Sequence, residues 1–247
     1  MPEGWELVPD VERAQEEVTL FILFCEDGVN EPAYFKSFQK EKKVKVSIVD
    51  NQKNSYRNLA NAVLYCYQKG LMDLHQGHYN LLPGVTSNIW CVYDRDVETI
   101  NPTLIKAENN YIFSTAIQSA ELTGLKVAWS NDVFELWILL HFEEVPAGVW
   151  QHRRQIYDRL STILKSLPDQ STELASITSN PHFDYKSHVK RSGNFQKHIQ
   201  PLLPSRYNTA IANAQILEAA FTTATPYHDC NPCTKVHHLV QSILSFH

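Results

Sequence analysis

The sequence predicts an α/β fold: a mainly parallel sheet flanked by helices, followed by a helical C-terminal half. Three observations carry this. Short apolar runs alternate with helical stretches from Val18 to Trp129. Two of those runs, Phe21-Ile22-Leu23-Phe24-Cys25 and Asn88-Ile89-Trp90-Cys91-Val92-Tyr93, stop abruptly at acidic residues. After Ser130 strand signals give way to helical ones. Strands alternating with helices imply βαβ units, and near-continuous apolar strands imply a sheet covered on both faces.

In order, Val18–Cys25 reads as a strand. Glu31–Gln39 reads as a helix, with Asn30 suited to its cap and Pro32 tolerated in the first turn. Val44–Val49 alternates Val44, Val46 and Ile48 with Lys45 and Ser47, the pattern of a half-buried strand. Ser55–Gly70 and Glu108–Gly124 are helices stopped by glycine. Leu71–Ser87 reads as an irregular connection, and Asn88–Tyr93 and Leu125–Trp129 as strands. Val133–Phe142 is apolar on nearly every side, so its helix should be enclosed. Helices follow at Arg153–Leu167, Arg206–Thr222 and Thr234–Phe246. Pro168–Pro204, with Pro181, Pro201 and weak periodicity, reads as a mobile loop region. The partition is a sheet-based region over residues 1–145 with a helical region over 146–247 packed on it.

The chain has 247 residues, 43% hydrophobic and 20% charged, an ordinary globular balance. A net charge of −5 excludes an all-over basic surface, so nucleic-acid contact must come from a local patch. No segment reaches the roughly 18–20 apolar residues of a membrane span. The first apolar run follows acidic Asp10, Glu12, Glu16 and Glu17, unlike a secretory signal. Five scattered cysteines fit a reducing compartment. The expectation is a cytoplasmic protein without a membrane partner.

Function is carried by carboxylates. Glu26 follows the first strand, and Asp94 and Asp96 follow a later one. At the carboxyl edge of a parallel sheet they would meet where open α/β folds build their sites. Two apart in extended backbone, Asp94 and Asp96 would share one side, with Tyr93 and Arg95 opposite. Magnesium takes oxygen ligands and keeps waters, so Glu26, Asp94 and Asp96 are the candidate metal-binding and catalytic residues for Mg2+ or Mn2+. Glu26 could serve as ligand or as base. Taken singly, each reads more readily as a solvated loop carboxylate than as a catalytic one; their matching positions after apolar runs are what point to a site.

Other residues have plainer roles to set beside functional ones. Glu135, alone among apolar neighbours, must be paired or support the site. His141 reads as a core histidine. Cys230-x-x-Cys233, near His228, His237 and His238, has zinc spacing, but Asn231-Pro232 before Thr234 reads better as a loop and cap. Lys186, Lys190, Arg191 and Lys197, interleaved with Phe183, Tyr185 and Phe195, suggest a nucleic-acid contact of cations and stacking faces; the alternative is a solvated basic loop.

Glutamate after one strand and Asp-x-Asp after another resemble the Toprim domain of topoisomerases, bacterial primases and overcoming-lysogenisation-defect nucleases. More specifically, the chain resembles the RloB family, related to abortive-infection proteins of the AbiL type. The matching pieces are Phe24-Cys25-Glu26-Asp27-Gly28, Glu31-Pro32-Ala33-Tyr34-Phe35, Val92-Tyr93-Asp94-Arg95-Asp96, Ala128-Trp129-Ser130-Asn131, Phe134-Glu135-Leu136-Trp137 through Phe142, and Asn231-Pro232-Cys233-Thr234-Lys235-Val236-His237. Two positions depart from the family pattern: Asp27 where glycine is expected, and Asp132-Val133 in place of a Pro-Cys-like pair.

The resemblance implies a Toprim-like fold and a nuclease effector of bacterial anti-phage defence, cutting DNA or RNA under control of a separate AAA- or ABC-type ATPase. No Gly-x-x-x-x-Gly-Lys-Ser/Thr loop is present, so the ATPase would be another chain. The alternative is a catalytically silent Toprim-like module that docks to that ATPase. Three convergent like charges favour the enzyme, because they repel one another without a metal.

Overall fold

A computed structural model describes residues 18–49, 55–85, 88–168, 170–190 and 193–246. β1 (Thr19–Cys25) leads through α1 (Asn30–Ser37) to β2 (Val44–Val49) and α2 (Ser55–Gln68). A hairpin of β3 (Met72–His75) and β4 (His78–Leu81) precedes β5 (Ile89–Asp94), α3 (Ala107–Leu122) and β6 (Lys126–Asn131). The remainder is helical: α4 (Glu135–Leu139), α5 (Arg153–Ser166), α6 (Thr172–Thr178), α7 (Tyr185–His188), α8 (Tyr207–Ala219) and α9 (Val236–Leu244), with β7 (Cys233–Thr234) just before α9.

The main sheet has the order β2-β1-β5-β6-β7. Its first four strands are parallel and the two-residue β7 is antiparallel to β6. Both faces are covered, which is why Phe21–Cys25 of β1 and Ile89–Tyr93 of β5 are apolar at every position rather than at alternate ones. Phe21, Leu23, Trp90 and Val92 face a core shared with α1 and the C-terminal helices. Ile22, Phe24, Cys91 and Tyr93 face a second core built on Leu59 and Cys66 of α2 and Phe113 and Ile117 of α3. The expected α/β architecture with a helical C-terminal half is the observed one.

Three stretches differ from expectation. Residues 71–87 are not simply irregular: they contain the β3–β4 hairpin, turned by Gln76 and Gly77 with φ of 50° and 83°. Positive φ at both central residues suits the twist of a two-residue hairpin. Its side chains are largely exposed beyond Met72, so it lacks the apolar alternation by which a strand is read.

The region between Pro168 and Pro204 is likewise no mobile loop. It forms α6, α7 and a single wide turn at Phe195–Ile199, and buries Phe183, Tyr185, Val189, Phe195, Ile199 and Leu203 in the main core. Ser171 Oγ caps α6 and Asp184 Oδ1 caps α7. Helices of one or two turns are too short to display a 3.6-residue period, so capping residues were the only local signal. Finally, the apolar segment Val133–Phe142 is enclosed as expected, but only Glu135–Leu139 is regular helix. Trp137 Nε1 donates to Tyr34 Oη at 2.8 Å, pinning it to α1. Among the described residues no helix is long and apolar enough to cross a membrane.

Candidate functional site

β1 has β2 on one side and β5 on the other, and the chain visits them in that order. The winding therefore reverses between β1 and β5, and the crevice at their carboxyl ends is the switch point of the sheet. Glu26 and Asp94 stand there. Glu26 Oε2 accepts the Asp94 backbone N–H at 3.1 Å, tying the two strand ends together. Asp94 Oδ2 accepts the Phe134 N–H at 2.9 Å, while its Oδ1 is buried without a hydrogen-bond partner. Burial, then the charges of Asp96, Glu135 and Glu26, raise the Asp94 carboxyl well above the usual carboxylate range.

A further acid belongs to this place. Glu31, in the first turn of α1, is fully buried. Its Oε2 accepts the Asp27 N–H at 3.2 Å, and its Oε1 is buried without a partner. Burial and the neighbouring charge of Asp94 push its pKa well up. Sequence reasoning missed Glu31 because an acid in a first helical turn reads as a complement to the helix dipole. Its position five residues after Glu26 was the available signal. Asp27, the departure from the expected glycine, closes the turn by accepting the N–H groups of Val29 and Asn30, both at 3.0 Å. Asn30 is thus not the cap; its side chain donates to the Lys190 carbonyl at 3.1 Å.

Asp96 departs from the expected extended geometry. It lies two residues past β5 with φ of 54°, and the alternation that would place it beside Asp94 ends with the strand. Its carboxylate meets Arg153 Nη1 at 2.8 Å. Among the described residues, the ligand atoms of Glu26, Asp94 and Asp96 do not gather within 4.8 Å of one another. Mutual repulsion, with a guanidinium on offer, accounts for the separation. Tyr93 and Arg95 do point away: Tyr93 into the second core, and Arg95 to Asn131, Asn110 and the His228 carbonyl.

Arg153, at the start of α5, also binds Asp132, whose buried carboxylate accepts its Nη2 at 2.8 Å and its backbone N–H at 2.8 Å. Glu135 is 3.0 Å from Lys190 Nζ, which also donates to Tyr157 Oη at 3.0 Å. The paired reading of Glu135 is the observed one, and it lies near enough to Asp94 to help raise that carboxyl.

The expected basic cluster is dispersed. Lys190 is committed to Glu135, and Lys197 pairs with Glu173 at 2.8 Å on an exposed surface. Arg191 lies outside the described residues. Phe183, Tyr185 and Phe195 are buried in the core, so they offer no stacking face. What replaces the loop is a groove of about 500 Å3 beside the acids, lined by Asp27, Asn30, Arg153, Tyr157, Lys186 and Lys190. Cys230 and Cys233 are free, and no described histidine joins them in a metal-binding group.

A doubly wound α/β protein with buried acids at its switch point and cations beside them is the class these features define. The family model for RloB-like proteins matches residues 21–243, and the chain belongs to that family. No curated protein and no solved structure matches it significantly.

Proposed function

We propose that this chain is a divalent-metal-dependent nuclease of the Toprim kind. The carrying observation is the pair of buried carboxylate oxygens, Asp94 Oδ1 and Glu31 Oε1, left without partners at the switch point. Buried carboxylate oxygens stay charged only when a cation or donors meet them. An all-oxygen set suits a hard ion, so Glu26, Glu31 and Asp94, whose ligand atoms do not gather within 4.8 Å of one another in the metal-free chain, would draw together on Mg2+ or Mn2+, with Asp96 joining once it leaves Arg153. Bound there, the ion supplies neutralisation of phosphoryl charge and a more acidic water.

The chain's own residues do the rest. Arg153, released from Asp96, would offer a forked pair of donors to a phosphate, and Lys186 and Lys190 extend that contact along the groove. Glu135 and Tyr157 hold the Lys190 ammonium in place. The family resemblance supports a role in bacterial defence against phage and control by a partner ATPase. A second reading, a silent module docking to that ATPase, is favoured by one observation: Asp96 is occupied by Arg153 rather than aimed at the other acids.

The test is cleavage of labelled DNA and of total RNA with Mg2+ or Mn2+, with and without the ATPase. The expected result is metal-dependent cutting, abolished in Asp94→Asn and reduced at least about 10- to 100-fold in Glu31→Gln, since even the outer supports of a metal site are worth that much. No cutting under any condition, with the ATPase demonstrably bound, would move the assignment to the docking module.

A further inference from the structure

Far along the chain from the acidic edge, Glu218 of α8 meets His237 and His238 at the start of α9. Their ligand-capable atoms all lie within 4.8 Å of one another, the one such group of three among the described residues. His237 is fully buried. Its Nδ1 is 3.1 Å from the Thr234 carbonyl, which can only accept, so Nδ1 carries a proton. That fixes Nε2 on the opposite side of the ring. There it lies 2.8 Å from Glu218 Oε2, yet makes no aligned hydrogen bond. His238 Nε2 lies 2.9 Å from the same oxygen, and the two imidazole rings are 4.1 Å apart.

With Nδ1 protonated, the neutral imidazole keeps its lone pair on Nε2, beside the Glu218 carboxylate oxygen. Two imidazole nitrogens crowded against one carboxylate oxygen are a set that a cation can draw into a single shell. Lys235 Nζ binds the other carboxylate oxygen, Oε1, which leaves Oε2 as a single-oxygen ligand and keeps the carboxylate ionised. Glu218 and His238 also line a cavity of about 590 Å3 walled by Trp90, Trp129 and Tyr227.

We propose that Glu218, His237 and His238 form a binding site for one zinc-class divalent ion, separate from the acidic edge, with its open position facing this cavity. Two imidazoles and one carboxylate suit zinc and its neighbours, whereas magnesium prefers oxygen alone. Three protein ligands with an open fourth position is the arrangement of a zinc ion that can bind a water or a small ligand. The Thr234 carbonyl supplies the outer contact that orients a ligating histidine. Because Glu218 and the histidines come from different helices, the ion would also clip α8 to α9.

The test is titration of the untagged, metal-stripped full chain with Co2+, followed by visible absorption, then by Zn2+. One equivalent of Co2+ should give a d–d spectrum that one equivalent of Zn2+ removes and excess Mg2+ does not. The exposed position allows His238→Ala without disturbing the core, and it should weaken binding about 10-fold or more, as should Glu218→Gln. Asp94→Asn should leave the spectrum unchanged. A featureless titration would overturn the site. So would a spectrum indifferent to His238→Ala and Glu218→Gln, or one lost in Asp94→Asn, which would put the ion at the acidic edge.

Discussion

Asp94 and Asp132 are both buried carboxylates at the carboxyl ends of neighbouring parallel strands, and the protein treats them in opposite ways. Asp132 accepts from the Val97 N–H and from three nitrogens of Arg153, so both its oxygens are engaged. Asp94 accepts one N–H on Oδ2, keeps Oδ1 unpartnered, and has Asp96, Glu135, Glu26 and Glu31 for electrostatic neighbours. The same chemical group is thus neutralised within the fold at one position and left in deficit at the next. Folding stability accounts for the first. It does not account for the second, which lacks the cation that the first one has.

The sharpest way to break this comparison is to remove each carboxylate in turn. Asp132→Ala leaves the Val97 N–H without its acceptor and Arg153 with Asp96 alone. Breaking one side of a buried pair costs about 3–5 kcal/mol, so the urea midpoint should fall steeply with little change in slope. Asp94→Asn should act with the opposite sign in metal-free protein, raising the midpoint, because it removes a charge that its neighbours oppose. Equal destabilisation by both would mean that Asp94 is as well satisfied as Asp132.

The pH dependence follows with a smaller effect. The folded pKa values of Asp94 and Glu31 are raised, so between their unfolded values, roughly 4, and their folded values the native state holds protons that the unfolded state has lost. In that window stability falls as pH rises; it is full below the unfolded pKa and lost through the folded one. A tenfold difference in proton affinity between the two states is worth roughly 1.4 kcal/mol. Denaturation of metal-free protein followed upward from about pH 4 should therefore show a downward slope that is shallower in Asp94→Asn. Mn2+ should flatten it and release protons on binding. A slope identical in wild type and Asp94→Asn would remove the electrostatic deficit.

The two aspartates also mark how far the sequence could be read. Asp94 was legible because it ends a wholly apolar run, and a charge that stops a buried strand is placed by the strand itself. Glu26 was legible for the same reason, and β1, β5 and β6 with them. Asp132 was not, because its partner Arg153 lies 21 residues away on a helix whose polar side chains read as a solvated face. Glu31 was hidden because an acid in a first helical turn reads as a complement to the helix dipole, while its burial belongs to tertiary packing around α1, where Phe134 meets Phe35 and Trp137 meets Tyr34. The interleaved aromatics near Lys190 misled in the other direction. Phe, Tyr and Lys alternate similarly in a stacking loop and in short helices that bury their rings, and only the burial tells the two apart.

Lys186 gives the smallest effect and separates fold from function most cleanly. Its neighbour in the groove, Lys190, is held by Glu135, so replacing it would disturb the core as well as any ligand. Lys186 is exposed and lines both the groove beside Asp27 and an adjoining one with Arg154 and Asp184. Lys186→Ala should shift stability by less than about 0.5 kcal/mol. If phosphates run along this groove, the same change should weaken nucleic-acid binding evenly across sequences and reduce the slope of log K against log salt by roughly 1. Binding with an unchanged salt slope would mean that the phosphates pass elsewhere, and that the cations beside Asp94 serve the acids rather than a substrate.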